Sequence, residues 1–227
     1  MKKKYIIPIL IPILLIAAWA YASNMQTPNH HRVKALDDEA ILSDIISDML
    51  DNLHYSSNKI DNTTSEKTFN NYIENLDYSK QYFLAEDIEA LSKYKLQIDD
   101  ELKSKKLEFY FEATEILYKR LAEVEAFNED LFSEPFDFNQ KEMFETDPEK
   151  RDYFKTEEER KAYWQQYAKY LTMNRLVNKL DKQEQDAKKA EKREEEFTEE
   201  SYEKLEEQSR QQVMKNLVTR FKRRKEI

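Results

Sequence analysis

The stretch KKLEFYFEATEILYKRLAEVEAFNEDLF, residues 105–132, decides the fold class. Phe109, Ala113, Ile116, Leu117, Leu121, Val124 and Phe127 recur at steps of three and four. That is the period of one helix face, not the two-residue alternation of a half-buried strand. The spacing predicts a helix over 105–132. Pro135 ends it, because the residue before a proline is pushed out of the helical region.

The rest of the chain points the same way. None of the 227 residues is glycine, where ordinary usage would place roughly 16. Glycine serves left-handed turns, tight hairpins and close approach of backbone to a ligand. Its absence predicts an all-α protein whose turns use Asn, Asp, Ser and Pro. It also disfavours phosphate-cradling loops, dinucleotide fingerprints and the glycine-flanked nucleophile elbow.

Before residue 105, three further helices are expected. The first runs over 37–54, with Ile41, Ile45 and Met49 flanked by Leu42, Ile46, Leu50 and Leu53. Ser56-Ser57-Asn58 and Asp61-Asn62-Thr63-Thr64 then read as a loop. A second helix carries Phe69, Tyr72, Ile73 and Leu76, and stops near Asp77-Tyr78-Ser79. A third starts near Ala85, with Leu84, Ile88, Leu91, Ile98 and Leu102 on its apolar face. Only a kink near Ser104 would separate it from the helix over 105–132.

After Pro135, residues 134–155 read as irregular, anchored by Phe136, Phe138, Met143, Phe144, Tyr153 and Phe154. Thr156 followed by Glu159 is a capping box that opens a fifth helix. Its face is Tyr163, Trp164, Tyr167, Leu171 and Leu180. Residues 181–196, DKQEQDAKKAEKREEE, read as a solvated helix or a flexible linker. A last helix from about Thr198 carries Tyr202, Leu205, Val213, Leu217 and Phe221. That stripe is thin and is expected to need a partner surface that this chain does not supply, as at a cut edge.

The N-terminus reads as an export signal. Lys2, Lys3 and Lys4 precede an apolar stretch from Tyr5 to Trp19, and Ala20-Tyr21-Ala22 offers a cleavage site over residues 1–22. The rival reading is an uncleaved anchor helix, against which Pro8 and Pro12 weigh. Residues 23–35 read as a flexible linker. Without cysteine the exported chain has no disulfides, so its core must hold itself together. A net charge of −9 argues against general nucleic-acid affinity.

The side chains give little sign of catalysis. Carboxylate pairs such as Glu112 and Glu115 read as solvated helix face. His30 and His31 fall in the linker, which leaves His54 with Asp51 as half of a metal site without a second half. No cofactor and no metal are expected. No Ser–Lys dyad stands out from the solvated background. The basic run from Arg220 to Lys225 reads as cations complementing a helix C-terminus. Asn62-Thr63-Thr64 fits a glycosylation acceptor, a loose pattern. The aromatic segment Tyr78, Tyr82 and Phe83 reads as a hydrophobic corner between helices, with a binding groove as the alternative.

That corner carries a family resemblance. The string YIENLDYSKQYFLAEDIEAL, residues 72–91, resembles the N-terminal helical region of the tail-specific, carboxy-terminal processing proteases. The matching positions are Tyr72, Leu76, Asp77, Tyr78, Ser79, Phe83, Leu84, Asp87 and Ile88. Pro135, Asp137 and Phe138 resemble the family's Pro-x-Asp-Phe turn, and the helix with Glu157, Glu158 and Trp164 resembles its acidic, Trp-containing helix. The resemblance covers about residues 36–227.

The resemblance implies the front piece of a periplasmic serine endopeptidase that degrades proteins from their C-terminal ends. In that family the helical region helps to shape the enclosure that admits substrate. A PDZ domain and a β-rich domain with the Ser–Lys dyad follow it. None of their residues has a counterpart here, so no catalytic residue is carried over and the chain alone is expected to be inactive. The expected partners are the PDZ and protease domains of the same full-length protein and, through them, protein substrates with accessible C-termini. The expected organisation is a helical domain over 36–180 and a charged helical extension over 181–227, truncated before the PDZ domain. The alternatives are a stand-alone periplasmic helical binding or chaperone-like protein and, if the signal stays uncleaved, a membrane-anchored scaffold.

Overall fold

The structure, a computed structural model, describes Ile41 and residues 61–225. The expected signal peptide, the linker and, Ile41 aside, the helix over 37–54 lie outside the described residues, as do Asp51 and all three histidines. Six α-helices are described: α1 Asn62–Asp77, α2 Ala85–Leu91, α3 Ile98–Lys103, α4 Glu108–Asn128, α5 Glu157–Arg193 and α6 Tyr202–Arg224. Among the described residues there is no strand, only an isolated bridge between Leu84 and Phe154. The all-α expectation holds. No helix among these residues is long and apolar enough to cross a membrane.

The chain divides into two compact units. The described part of the first is Ile41, Asp61 and residues 99–108. There Lys103 pairs with Asp99 one turn earlier at 2.7 Å, and Ser104 Oγ donates to the Asp100 carbonyl at 2.8 Å. Lys105 has a φ of 58°, which no helix tolerates. The second unit holds residues 62–98 and 109–225 and contains both hydrophobic cores and the sites described below.

Four sequence expectations need correction. Asn62, Thr63 and Thr64 form the first turn of α1 rather than a loop, because short polar side chains are favoured where a helix begins. The third helix is not continuous from Ala85 to Leu102. It closes at Leu91, where Ser92 Oγ donates back to the Glu89 carbonyl at 2.6 Å, and a 3-10 turn over Ser92–Tyr94 follows. The break buries Tyr94 beside Phe69, Ile73, Leu91, Phe109 and Ala113 in a small core. The left-handed Lys105 delays α4 to Glu108.

The fourth correction concerns the last helix. Its thin stripe does not await an absent partner. α5 runs without interruption to Arg193, and Glu194, with φ 55°, turns the chain. α6 then returns antiparallel along α5, as Gln183 with Glu200, Lys179 with Gln208 and Trp164 with Phe221 record along its length. Val213, Leu217 and Phe221 are buried with Trp164, Tyr82, Phe83, Leu117, Leu121 and Val124 in the main core.

The capping box forms only in part, because Glu159 reaches back to the amide before the cap rather than to that of Thr156. Thr156 Oγ1 accepts from the Glu159 amide at 3.2 Å, and Glu159 accepts from the Lys155 amide at 2.8 Å. Residues 133–156 are irregular apart from a 3-10 turn over Pro148–Lys150.

Phe221→Ala removes a fully buried ring and is expected to cost about 3–5 kcal/mol, read as a fall in the urea midpoint. A neutral result would mean that α6 is not part of the core. Glu194→Gly relieves a left-handed residue on an exposed turn and is expected to raise stability by up to about 1 kcal/mol. A lower melting temperature would contradict the strain assigned to that position.

Candidate functional site at the Asp77 corner

α1 ends at Asp77, and after seven intervening residues α2 begins at Ala85. The second half of the connecting segment, Gln81 to Leu84, is buried, although loops normally lie at the surface because their backbone groups need partners. Asp77 supplies the amide partners. Its carboxylate accepts from the amides of Gln81 at 2.9 Å, Tyr82 at 2.8 Å and Phe83 at 3.0 Å. Burial pushes the carboxyl up, to about 6, while the three amides and the charge of Arg224 pull it down.

The carbonyls of the same segment are met by side chains from elsewhere. Arg224 of α6 donates to the Leu76 carbonyl with both terminal nitrogens, each at 2.9 Å. Arg151 donates to Ser79 at 2.6 Å, Trp164 Nε1 to Gln81 at 2.9 Å and Arg160 to Tyr82 at 2.9 Å. Lys80 adopts φ 46° and donates through Nζ to the Arg151 carbonyl at 2.5 Å. The Gln81 side chain donates to Tyr163 Oη at 3.0 Å and accepts from Arg220 at 2.7 Å. Arg224 also lies over the Tyr82 ring at 5.0 Å, where a cation is attracted to the π face.

A charge network lies beside this corner. Asp87 accepts from the Leu84 amide at 2.8 Å, which caps α2, and takes two hydrogen bonds from Arg120 at 2.8 and 2.9 Å. Arg120 also reaches Glu86 at 2.6 Å and Glu123 at 3.1 Å. Glu123 in turn accepts from Arg160 at 2.6 Å. Burial works against the charge of Arg120, but Asp87, Glu123 and Glu86 outweigh it and raise its pKa. Burial likewise pushes Glu123 up, yet its hydrogen bonds from Arg160 and Arg120 hold it below the usual carboxylate range.

The motif residues do not all meet. Leu76, Asp77, Ser79, Phe83, Leu84, Asp87 and Trp164 converge on the corner. Tyr78 is exposed. Tyr72 packs edge-on against Phe109 in the smaller core and shares a hydrogen bond with Thr114. Pro135, Asp137 and Phe138 belong to another turn, where Asp137 accepts from the Asn139 amide at 2.9 Å and the neighbouring Phe136 amide donates to Glu206 of α6 at 3.4 Å. Of the basic run, Arg220 and Arg224 bond to Gln81 and Leu76, so they do more than complement the end of their helix.

Arg120, Glu123, Arg151 and Arg160 were not singled out by the sequence reading. A signal existed for two of them. Arg120 falls on the apolar stripe, four residues after Ile116 and three after Leu117, and Arg160 lies three and four residues before Tyr163 and Trp164. A cation at a core position implies a buried carboxylate or carbonyl partner. Arg151 sits in an irregular segment and left no such mark.

Chemically, the corner holds shape. Its cations are engaged by carbonyls and carboxylates, and Lys80 is bound to a backbone oxygen. Among the described residues no group of His, Asp and Glu could hold a metal ion. Asp77→Asn keeps the size of the side chain but turns an amide donor toward a backbone donor. It is expected to cost about 1–3 kcal/mol, measured by urea denaturation. An unchanged midpoint would remove Asp77 from its central place.

The family model described as the tail specific protease N-terminal domain matches residues 45–223, which include the charge network, Asp77 and its loop, and all of α6 except Arg224. A tail-specific protease of Haemophilus influenzae is 33% identical over 112 residues. That alignment covers 49% of this chain and 16% of the relative, so the chain spans a small part of that protein's length. With most of its described residues inside the family match, the chain belongs to the tail-specific protease N-terminal domain family.

Proposed function

We propose that this chain is a non-catalytic helical module of an exported carboxy-terminal processing serine protease, and that it helps to shape the enclosure admitting substrate. The observation that carries this reading is the family match over residues 45–223. The corner supports it in kind. Charged and aromatic side chains are used to fix the backbone of a buried loop, as a shape-giving part requires. The PDZ and protease domains of the full-length protein are its proposed partners, with the periplasm as its proposed location.

The alternative, a stand-alone periplasmic binding or chaperone-like protein, draws support from α6. That helix completes the core through Phe221, so the chain has the makings of an independently folded unit. Slow amide exchange along α6 is expected under both readings and does not separate them. Activity does. The purified chain, given a casein or C-terminally tagged peptide substrate, is expected to show no cleavage. Turnover abolished by a single Ser→Ala change would place a nucleophile in this chain and end the non-catalytic reading.

A further inference from the structure

The antiparallel pairing of α5 and α6 leaves a groove of about 480 Å³ on the second unit. Its floor is Leu171, Val213 and Leu217, and its walls are Asn174, Asn178, Asn216, Arg175, Lys179 and Lys182. A second groove of about 370 Å³ is lined by Asn216, Thr219, Arg220, Arg223 and Arg224. Asn216 lines both, so the two form one track. No Asp or Glu lines either part, in a chain with 46 acidic and 37 basic residues. Arg220 and Arg224 are turned to the Asp77 corner. Arg175, Lys182 and Arg223 have no ion-pair partner among the described residues, and all three are exposed.

We propose that this track binds an extended acidic polypeptide segment carrying at least one apolar side chain. Three features match that occupant. The unpaired cations suit carboxylates of an occupant, and a positive track on a net-negative molecule favours an acidic partner. The Asn side chains each offer a donor and an acceptor, which suits the alternating N–H and C=O groups of an extended backbone. The Leu–Val floor accepts an apolar side chain, which a phosphate headgroup would leave uncovered. The inference does not depend on the peptidase reading, since it rests on the α5–α6 surface alone.

Fluorescence anisotropy with the purified chain and a labelled peptide of about twelve residues, alternating glutamate and leucine, tests it. Saturable micromolar binding is expected, weakening as salt rises from about 50 to about 300 mM. A peptide with lysine in place of glutamate is expected not to bind. Arg175→Glu together with Lys182→Glu is expected to weaken binding at least about tenfold with an unchanged melting temperature. If the charge reversal unfolds the chain, the corresponding change of both residues to Gln gives the same reading with a smaller loss. The proposal is overturned if no binding appears up to about 1 mM peptide. It is overturned equally if both variants bind as the parent does. Two further outcomes reject it in favour of another occupant. One is variant-sensitive binding to phosphatidylglycerol vesicles without peptide binding, and the other is variant-sensitive self-association that the peptide does not compete away.

Discussion

The carboxylate of Asp77 accepting three successive backbone amides is the contact on which the rest of the second unit depends. A buried turn without glycine has few ways to satisfy its own backbone, because the tight left-handed geometries that close such turns are costly for other residues. Here the amides converge on one acidic side chain, and Lys80 takes the single left-handed position. The carbonyls then point outward and are met by Arg224, Arg151, Trp164 and Arg160. The corner thus becomes a socket that α5, α6 and the irregular segment before α5 must all reach. The end of α1 is thereby tied to elements remote in sequence, the Leu76 carbonyl to Arg224 across 148 residues.

The neighbouring chain of Asp87, Arg120, Glu123 and Arg160 adds constraint more than net stability. Taking charges out of water is expensive, and the attraction between partners largely offsets that cost rather than exceeding it. Breaking such a set is another matter, since one unpaired buried charge costs about 3–5 kcal/mol. Its effect is to fix which faces of α2, α4 and α5 meet. An apolar core alone would tolerate several packings of those helices. The network accepts one, because Arg120 must find Asp87 and Glu86 while Arg160 finds Glu123 and the Tyr82 carbonyl together.

This organisation agrees with a member of the tail-specific protease N-terminal domain family whose proposed task is geometric. A part that shapes an enclosure needs a defined surface more than reactive groups, and here the buried ionisable groups serve as structural bolts. The α5–α6 face differs in character. Of the cations lining it, Arg175, Lys182 and Arg223 are exposed and have no ion-pair partner among the described residues, whereas Arg220 and Arg224 are held by the corner.

The sequence by itself determined the fold class, the helix faces and the family. Apolar periodicity marks the core of α1, α4 and α5, Thr156 and Glu159 mark the start of α5, and the absence of glycine excludes most alternatives, because each of these is a local property of neighbouring residues. The Asp77 corner was legible as a junction, through its aromatic cluster, but not as a hydrogen-bonded socket. Only the tertiary structure decided that α6 completes the core. Its stripe looks thin by itself and becomes sufficient once Trp164 and Tyr82 lie against it. Tertiary structure likewise turned Arg220 and Arg224 from terminal cations into ligands of the corner, and ended α2 early to bury Tyr94. The physical reason is common to all three. A hydrogen bond or a buried ring joins residues remote in sequence, and no local period records which distant group will be waiting.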